Sequence, residues 1–253
     1  MLRPGEVVGL VGESGSGKEL VARAVHECSH RAAGPFVAVN CGAIPADLLE
    51  SELFGHEKGA FTGAFDRHIG RFQDADGGTL FFDEVADMPL STQARILRVL
   101  TEQSFVRAGG SRQIGVDVRV VSSTARDLEA EISEKRFRED LYYRLAVVPV
   151  RMPSLKERRE DIPDLARHFL ERSAESSGIP VRELSMDALT ALQAYDWPGN
   201  VRQLRNNIER LLILATGGPD EPITADMLPQ EVASSASPTS LGADRIIALP
   251  LRE

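Results

Sequence analysis

The sequence predicts an α/β fold: a parallel sheet covered by helices on both faces, followed by a small α-helical bundle. Three observations lead there. Over roughly the first 150 residues, short and continuously apolar runs alternate with helical patterns, as strands buried on both faces do. A glycine-rich G-x-x-x-x-G-K segment falls between the first such run and the first helix. From about residue 155 the strand pattern stops and only helical periods follow.

The elements follow in order. Residues 7–11 read as the first strand and 19–29 as the helix after it. Strands are expected at 36–39, 79–82, 118–122 and 147–150, with helices at 46–53, 91–102 and 128–134 between them. The stretch from Pro149 to Pro153 reads as a hinge. Beyond it, 161–176, 185–195 and 200–216 have helical period, with Asn200 as an N-cap and Gly217-Gly218-Pro219 as a stop. Residues 234–240 are rich in serine and linker-like, and the apolar Ile246-Ile247-Ala248-Leu249-Pro250-Leu251 has no evident partner. This organisation gives a nucleotide-binding part over 1–152, a helical lid over 153–228 and a linker or tail over 229–253.

Composition narrows the function. The chain has 253 residues, enough for one large or two smaller domains, and its 42% hydrophobic and 26% charged residues are ordinary for a globular protein. No apolar run reaches the length of a membrane span, and the first residues have no apolar stretch before a cleavage site. Cys28 and Cys41 give neither a disulfide framework nor zinc spacing, so a reducing cytoplasm is the expected compartment. With 38 acidic and 29 basic residues the net charge is −9, the opposite of the basic excess of a DNA-binding domain.

Gly12-Glu13-Ser14-Gly15-Ser16-Gly17-Lys18 has the context that makes a phosphate loop credible. Its glycines let the backbone wrap phosphates, whose charge the N–H groups and the helix N-terminus favour. Lys18 would reach the terminal phosphates. A plain Gly/Ser turn with a solvated lysine would not require the strand before it or the helix after it. The Ser or Thr that usually follows the lysine is replaced by Glu19, so Mg²⁺ would need another route, through water. A dinucleotide loop is excluded because Gly15-Ser16-Gly17-Lys18-Glu19-Leu20 lacks the third glycine.

Asp83 and Glu84 stand at the C-terminal end of an apolar strand, where ligands bind in open α/β sheets. Asp83 suits Mg²⁺, directly or through water, and Glu84 suits polarising a water for attack on a γ-phosphate. The bland alternative is an acidic helix start before Met88-Pro89. Asn40 ends the neighbouring strand. Its amide could hold the Glu84 carboxylate, or it could serve only to form a turn. His26-Glu27-Cys28-Ser29-His30 matches H-E-x-x-H, but it lies at the far end of the helix already given to phosphate binding and has no third ligand. Gly59-Ala60-Phe61-Thr62-Gly63-Ala64 sets an aromatic and a threonine among small residues that cannot pack a core. Such a segment is costly to expose unless it touches something.

Together these residues resemble the central AAA+ domain of bacterial enhancer-binding proteins, the NtrC-like activators of sigma-54 RNA polymerase. The likeness runs from about residue 5 to residue 228 and covers the phosphate loop with its Glu19, residues 51–64 and 77–84, and Phe137-Arg138-Glu139-Asp140-Leu141-Tyr142-Tyr143-Arg144-Leu145. It also takes in Trp197-Pro198-Gly199-Asn200-Val201-Arg202. The last residues look like the NtrX branch.

The resemblance implies a P-loop AAA+ three-layer sandwich with an α-helical lid. It also implies ATP and Mg²⁺ held by Gly12, Glu13, Ser14, Gly15, Ser16, Gly17, Lys18, Glu19 and Leu20. Asp83 would bind metal, Glu84 would activate water and Asn40 would be its switch partner. Arg138 and Arg144 would be fingers donated to a neighbour's ATP, and Arg202 would sense nucleotide from the lid. Gly59, Ala60, Phe61, Thr62, Gly63 and Ala64 would form the surface loop that contacts sigma-54, with Phe61 and Thr62 at its tip. Trans fingers imply a ring, a hexamer. Thr124-Ala125 stands where the family carries Thr-Asn beside the γ-phosphate, which expects weaker sensing or turnover. With no sensory module upstream and no DNA-binding domain downstream, the chain reads as the central domain of a longer regulator. The competing reading is an ATP-binding assembly or switch module with little turnover.

Overall fold

The computed structural model describes residues 7–214, 218 and 221–234. It divides into two compact units, residues 1–154 and 155–253. The first unit is built on β1 (Val8–Val11), α1 (Lys18–Glu27), β2 (Phe36–Asn40), α2 (Ala46–Phe54), α3 (Arg71–Asp74) and β3 (Thr79–Asp83). It continues through α4 (Leu90–Glu102), β4 (Ser104–Val106), β5 (Gln113–Gly115), β6 (Arg119–Thr124), α5 (Leu128–Ser133), α6 (Glu139–Leu145) and β7 (Val148–Arg151).

Five strands form one parallel sheet in the order β2-β3-β6-β1-β7. The central strands β1, β3 and β6 are buried on both faces, which is why they lack alternation, whereas the edge strands β2 and β7 are partly exposed. Val8, Leu10, Phe81 and Val121 pack with Ala22 of α1 on one face. Leu80, Phe82, Val120 and Val39 face a larger core with Leu49, Leu53, Ile96, Leu141 and Leu145. Burial of this kind removes about 25 cal/mol for each Å² of apolar surface taken from water.

Two expectations change. Pro149 is not in a hinge: it lies inside β7 opposite Gly9. As β7 is an edge strand, a residue without an N–H is tolerated there. The antiparallel pair β4–β5, with Phe105 opposite Ile114, was not expected, because three-residue strands are too short to carry a period.

The second unit is helical: α7 (Ile162–Ser177), α8 (Met186–Ala194), α9 (Asn200–Leu214) and α10 (Gln230–Ala233). Ile162, Ala166 and Leu170 on α7 meet Leu204, Ile208 and Leu211 on α9, spacings that keep one helix face inward. Trp197 is fully buried and donates Nε1–H to Leu192 O at 2.7 Å. Asn200 opens α9 in a left-handed conformation, φ 51°, and its carboxamide oxygen accepts the Leu155 N–H at 2.7 Å. Its side chain therefore ties the start of α9 to the start of the unit. Val232 of α10 lies in the same core, so the helical unit continues past Leu228 into the stretch expected as linker. The expected helix stop at Gly217 and Pro219, the serine-rich residues 235–240 and the apolar residues 246–251 lie outside the described residues.

Gly78 shows how closely the sheet entrance is packed. A Cβ there would sit 2.0 Å from Pro35 O, a backbone atom that cannot move alone. Gly78→Ala should therefore lower stability by about 2 kcal/mol or more, read as a lower urea midpoint for the first unit.

Candidate functional site

The candidate groups gather at the carboxyl ends of β1, β3 and β6. Residues 12–17 form the loop between β1 and α1, with Gly15 at φ 76° and Gly17 at φ 102°. Nothing lies within 4 Å of a Cβ built on Gly17, so its backbone conformation and not crowding calls for glycine. Lys18, the first residue of α1, is buried, and its Nζ donates to Gly12 O at 2.8 Å and Glu13 O at 3.2 Å. The lysine thus closes the loop on itself. Glu19 faces outward in an exposed pair with Arg23 at 3.1 Å, and Leu20 is 72% exposed. Neither side chain lies with the carboxylates.

Asp83 ends β3 and accepts bonds from two neighbours: the Ser123 hydroxyl and Asn40 Nδ2, the latter at 3.3 Å. Glu84 follows in a left-handed conformation, φ 55° and ψ 57°. A non-glycine residue held there costs about 1–3 kcal/mol and persists only where its surroundings enforce it. One carboxylate oxygen accepts the Ala125 N–H at 3.1 Å, and the other lies 3.7 Å from Lys18 Nζ.

The expected Asn40–Glu84 contact is therefore not made in this structure. The parallel register sets Asn40 opposite Asp83, whereas the left-handed backbone of Glu84 carries it toward the phosphate loop. Asn40 Oδ1 instead accepts from Gly42 N and Ala43 N, both at 3.0 Å, closing the turn after β2. Thr124 Oγ1 accepts from Arg126 N at 3.0 Å and so is occupied in the turn after β6. Beside it, a cleft of about 390 Å³ is lined by Val11, Gly12, Thr124, Ala125, Leu128 and Tyr142 among others. The size is in the range of small-ligand sites. Burial, then the neighbouring Glu129, pushes the Tyr142 phenol above its ordinary pKa.

Ser123 was missed in the sequence. The available signal was a strand whose last residues, Ser122, Ser123 and Thr124, are polar yet buried.

Arg138 precedes α6 and makes a two-pronged pair with Asp140, at 3.0 and 2.7 Å. The Arg138 guanidinium holds the Asp140 carboxyl below its usual range. Arg144 donates to Leu100 O at 2.9 Å. Among the described residues, neither guanidinium bonds to the chain's own Lys18, Asp83 or Glu84. Arg202 lies in α9 of the second unit and is exposed.

Residues 59–64 make a compact turn between α2 and α3. Gly59 N donates to Ala64 O at 2.8 Å and Ala64 N to Phe61 O at 3.0 Å. Gly59 and Gly63 have φ of 81° and 104°. Phe61 is 44% exposed, its ring edge-on to His56 at 4.9 Å, whereas Ala64 is buried. Not every small residue of the stretch is therefore exposed. Glu57 at the base pairs with Arg107 at 2.9 Å.

His26 is buried against Thr79 Oγ1 at 2.9 Å, and α1 ends at Glu27, so His30 does not share its helix face. No metal-ligand cluster occurs among the described residues.

Comparison with known proteins gives two family matches: a sigma-54 interaction domain over residues 4–151 and an AAA+ ATPase lid domain over residues 156–244. The chain is 55% identical over 246 residues to the nitrogen assimilation regulatory protein NtrX of Azorhizobium caulinodans, covering 96% of this chain and 54% of that protein. It is 54% identical over 227 residues to the DNA-binding transcriptional regulator NtrC of Klebsiella pneumoniae, covering 90% of this chain and 48% of the regulator. Among solved structures, NtrX from Brucella abortus in complex with ATP superposes with a TM-score of 0.86 at 50% identity, over 97% of this chain and 54% of that one. The complex of the same protein with ADP gives 0.85 at 51% identity, over 94% and 53%. The chain thus spans about half the length of the curated relatives it matches.

Cys41, next to Asn40, is buried, and burial followed by the charges of Asp83, Asp87 and Glu84 raises its thiol pKa well above the ordinary value. Cys28 is exposed. At pH 8 a thiol reagent should modify Cys28 alone in the native protein and both cysteines after denaturation. The titration of released chromophore measures this directly.

Proposed function

We propose, because the chain belongs to the sigma-54 interaction domain family with its AAA+ lid, that it is an ATP-hydrolysing motor that remodels sigma-54 RNA polymerase holoenzyme. The carrying observation is the placement of Glu84: a strained backbone holds its carboxylate between Lys18 of the phosphate loop and the N–H that follows β6. Family members are generally ATPases, and the related NtrX structures with ATP and ADP support nucleotide binding.

In this reading Lys18 leaves the loop carbonyls for the terminal phosphates, and the N-terminus of α1 and the loop N–H groups neutralise the rest. Glu84 takes a proton from the attacking water. Asp83, with the Ser123 hydroxyl beside it, offers the hard oxygen donors that suit Mg²⁺, directly or through water. Bound there, the ion would neutralise charge on the phosphates. Asn40 pairs with Asp83 here and, as the switch partner, would exchange it for Glu84 when nucleotide binds.

Arg138 and Arg144, free of their own site, serve the neighbour in a ring, a hexamer, for which Arg138 must leave Asp140. Arg202 reads nucleotide from the lid, and Thr124 sets the turn beside the γ-phosphate. The loop from Gly59 to Ala64 presents Phe61 and Thr62 to sigma-54. Among the described residues no helix is long and apolar enough to cross a membrane, and a cytoplasmic location fits a partner of RNA polymerase.

Glu84→Gln should bind ATP with unchanged affinity and lose hydrolysis by about a hundredfold or more. Wild-type turnover by that variant would remove Glu84 from its role. Specific ATPase activity should rise steeply with protein concentration, and Arg138→Ala should lower it about a thousandfold. Binding without turnover at every concentration would instead identify a nucleotide-binding switch. Thr62→Ala should keep the ATPase and lose sigma-54 engagement, measured by co-elution with nucleotide-loaded protein.

A further inference from the structure

Gln93 lies on α4 and is fully buried. A primary amide in an apolar interior is destabilising unless its polar atoms are paired. Here they are paired with backbone groups of two other segments. Gln93 Nε2 donates to Met88 O at 2.8 Å and to Arg136 O at 2.9 Å. Gln93 Oε1 accepts from Arg138 N at 2.9 Å.

The two segments matter by position. Met88 closes the short turn that begins at Glu84, through Asp87 N to Glu84 O at 3.1 Å and Met88 N to Val85 O at 3.2 Å. Residues 136–138 lead into α6. Their own backbone bonds are local, from Arg136 N and Phe137 N to Glu131 O, and Phe137 and Leu141 anchor the stretch by apolar burial, which has no direction. One buried carboxamide therefore links the turn behind the paired acids directly to the backbone of Arg138, beside the more exposed ion-pair route through Asp87, Arg126, Glu131 and Arg136.

We infer that Gln93 is a positioning residue. Through its three bonds, the loop that carries Glu84 in one subunit fixes where that subunit's Arg138 stands in the neighbour's site. The inference rests on the reading of Arg138 as a finger used in trans, and it adds a residue that touches neither nucleotide nor metal. It also gives a direction to the defect: loss of Gln93 harms the next subunit's site and leaves its own intact.

Subunit mixing tests this. Gln93→Leu removes all three bonds at similar volume. Gln93→Met also removes all three with an unbranched side chain that adapts to irregular gaps, so it carries the same test where the leucine variant folds poorly. Each alone should bind a fluorescent ATP analogue within twofold of wild type and hydrolyse ATP at least tenfold more slowly. Each is then mixed with an excess of Glu84→Gln subunits, whose own sites are dead and whose fingers are intact. Activity per Gln93 variant should rise at least fivefold, toward wild-type subunits diluted in the same excess.

Arg138→Ala subunits in the same mixture are the reference. Rescue of Arg138→Ala without rescue of the Gln93 variants places Gln93 in its own site and overturns the inference. Full activity of both Gln93 variants unmixed overturns it as well. Failure to rescue Arg138→Ala itself overturns the finger reading first, and the role of Gln93 with it.

Discussion

Parallel pairing of β3 with β2 on one side and β6 on the other decides where the reactive groups stand. The register brings Asn40 opposite Asp83, and Phe82 opposite Ser122, so that Ser123 reaches Asp83 from the far side. A slip by one residue would turn every side chain of β3 to the other face, driving both Leu80 and Phe82 into the small core under α1, to which β3 contributes Phe81 alone. The hydrophobic interior thus enforces the register, and the register places the carboxylates. Glu84 depends on the same arrangement, since its unfavourable backbone is held by the strand before it and the turn after it.

The glycine-rich loop, the paired acids and the turn at residues 59–64 were legible because each is a local pattern with a local cause. Gly17 needs a positive φ, and Asp83 ends a strand with Glu84 next to it. The contacts of Asn40 were not legible. Sequence places it near two carboxylates, and only register and the backbone of Glu84 decide between them. Gln93 was invisible for a different reason. On an amphipathic helix a glutamine reads as part of the polar face, and its burial becomes evident only once residues 136–138 fold across α4. Strands β4 and β5 escaped because each is three residues long, too short to show a period.

Several polar groups here are satisfied by contacts that the proposed reaction must break. Lys18 rests on two carbonyls, Asn40 on Asp83 and Arg138 on Asp140. Each contact is a modest one: exposed ion pairs such as Arg138–Asp140 are worth about 0–1 kcal/mol, and a phosphate offers a stronger, charge-assisted alternative. Ligand binding would exchange these contacts for stronger ones, and of the three only that of Lys18 is buried.

The backbone of Glu84 has a further consequence for anyone wishing to harden this domain against heat. Glycine or asparagine would hold φ 55° with less strain, and by that measure position 84 is among the first to improve. The same substitution would delete the carboxylate beside Lys18. If Glu84 acts as proposed, durability and turnover compete at a single residue, and a thermostable variant of this protein must take its gains elsewhere.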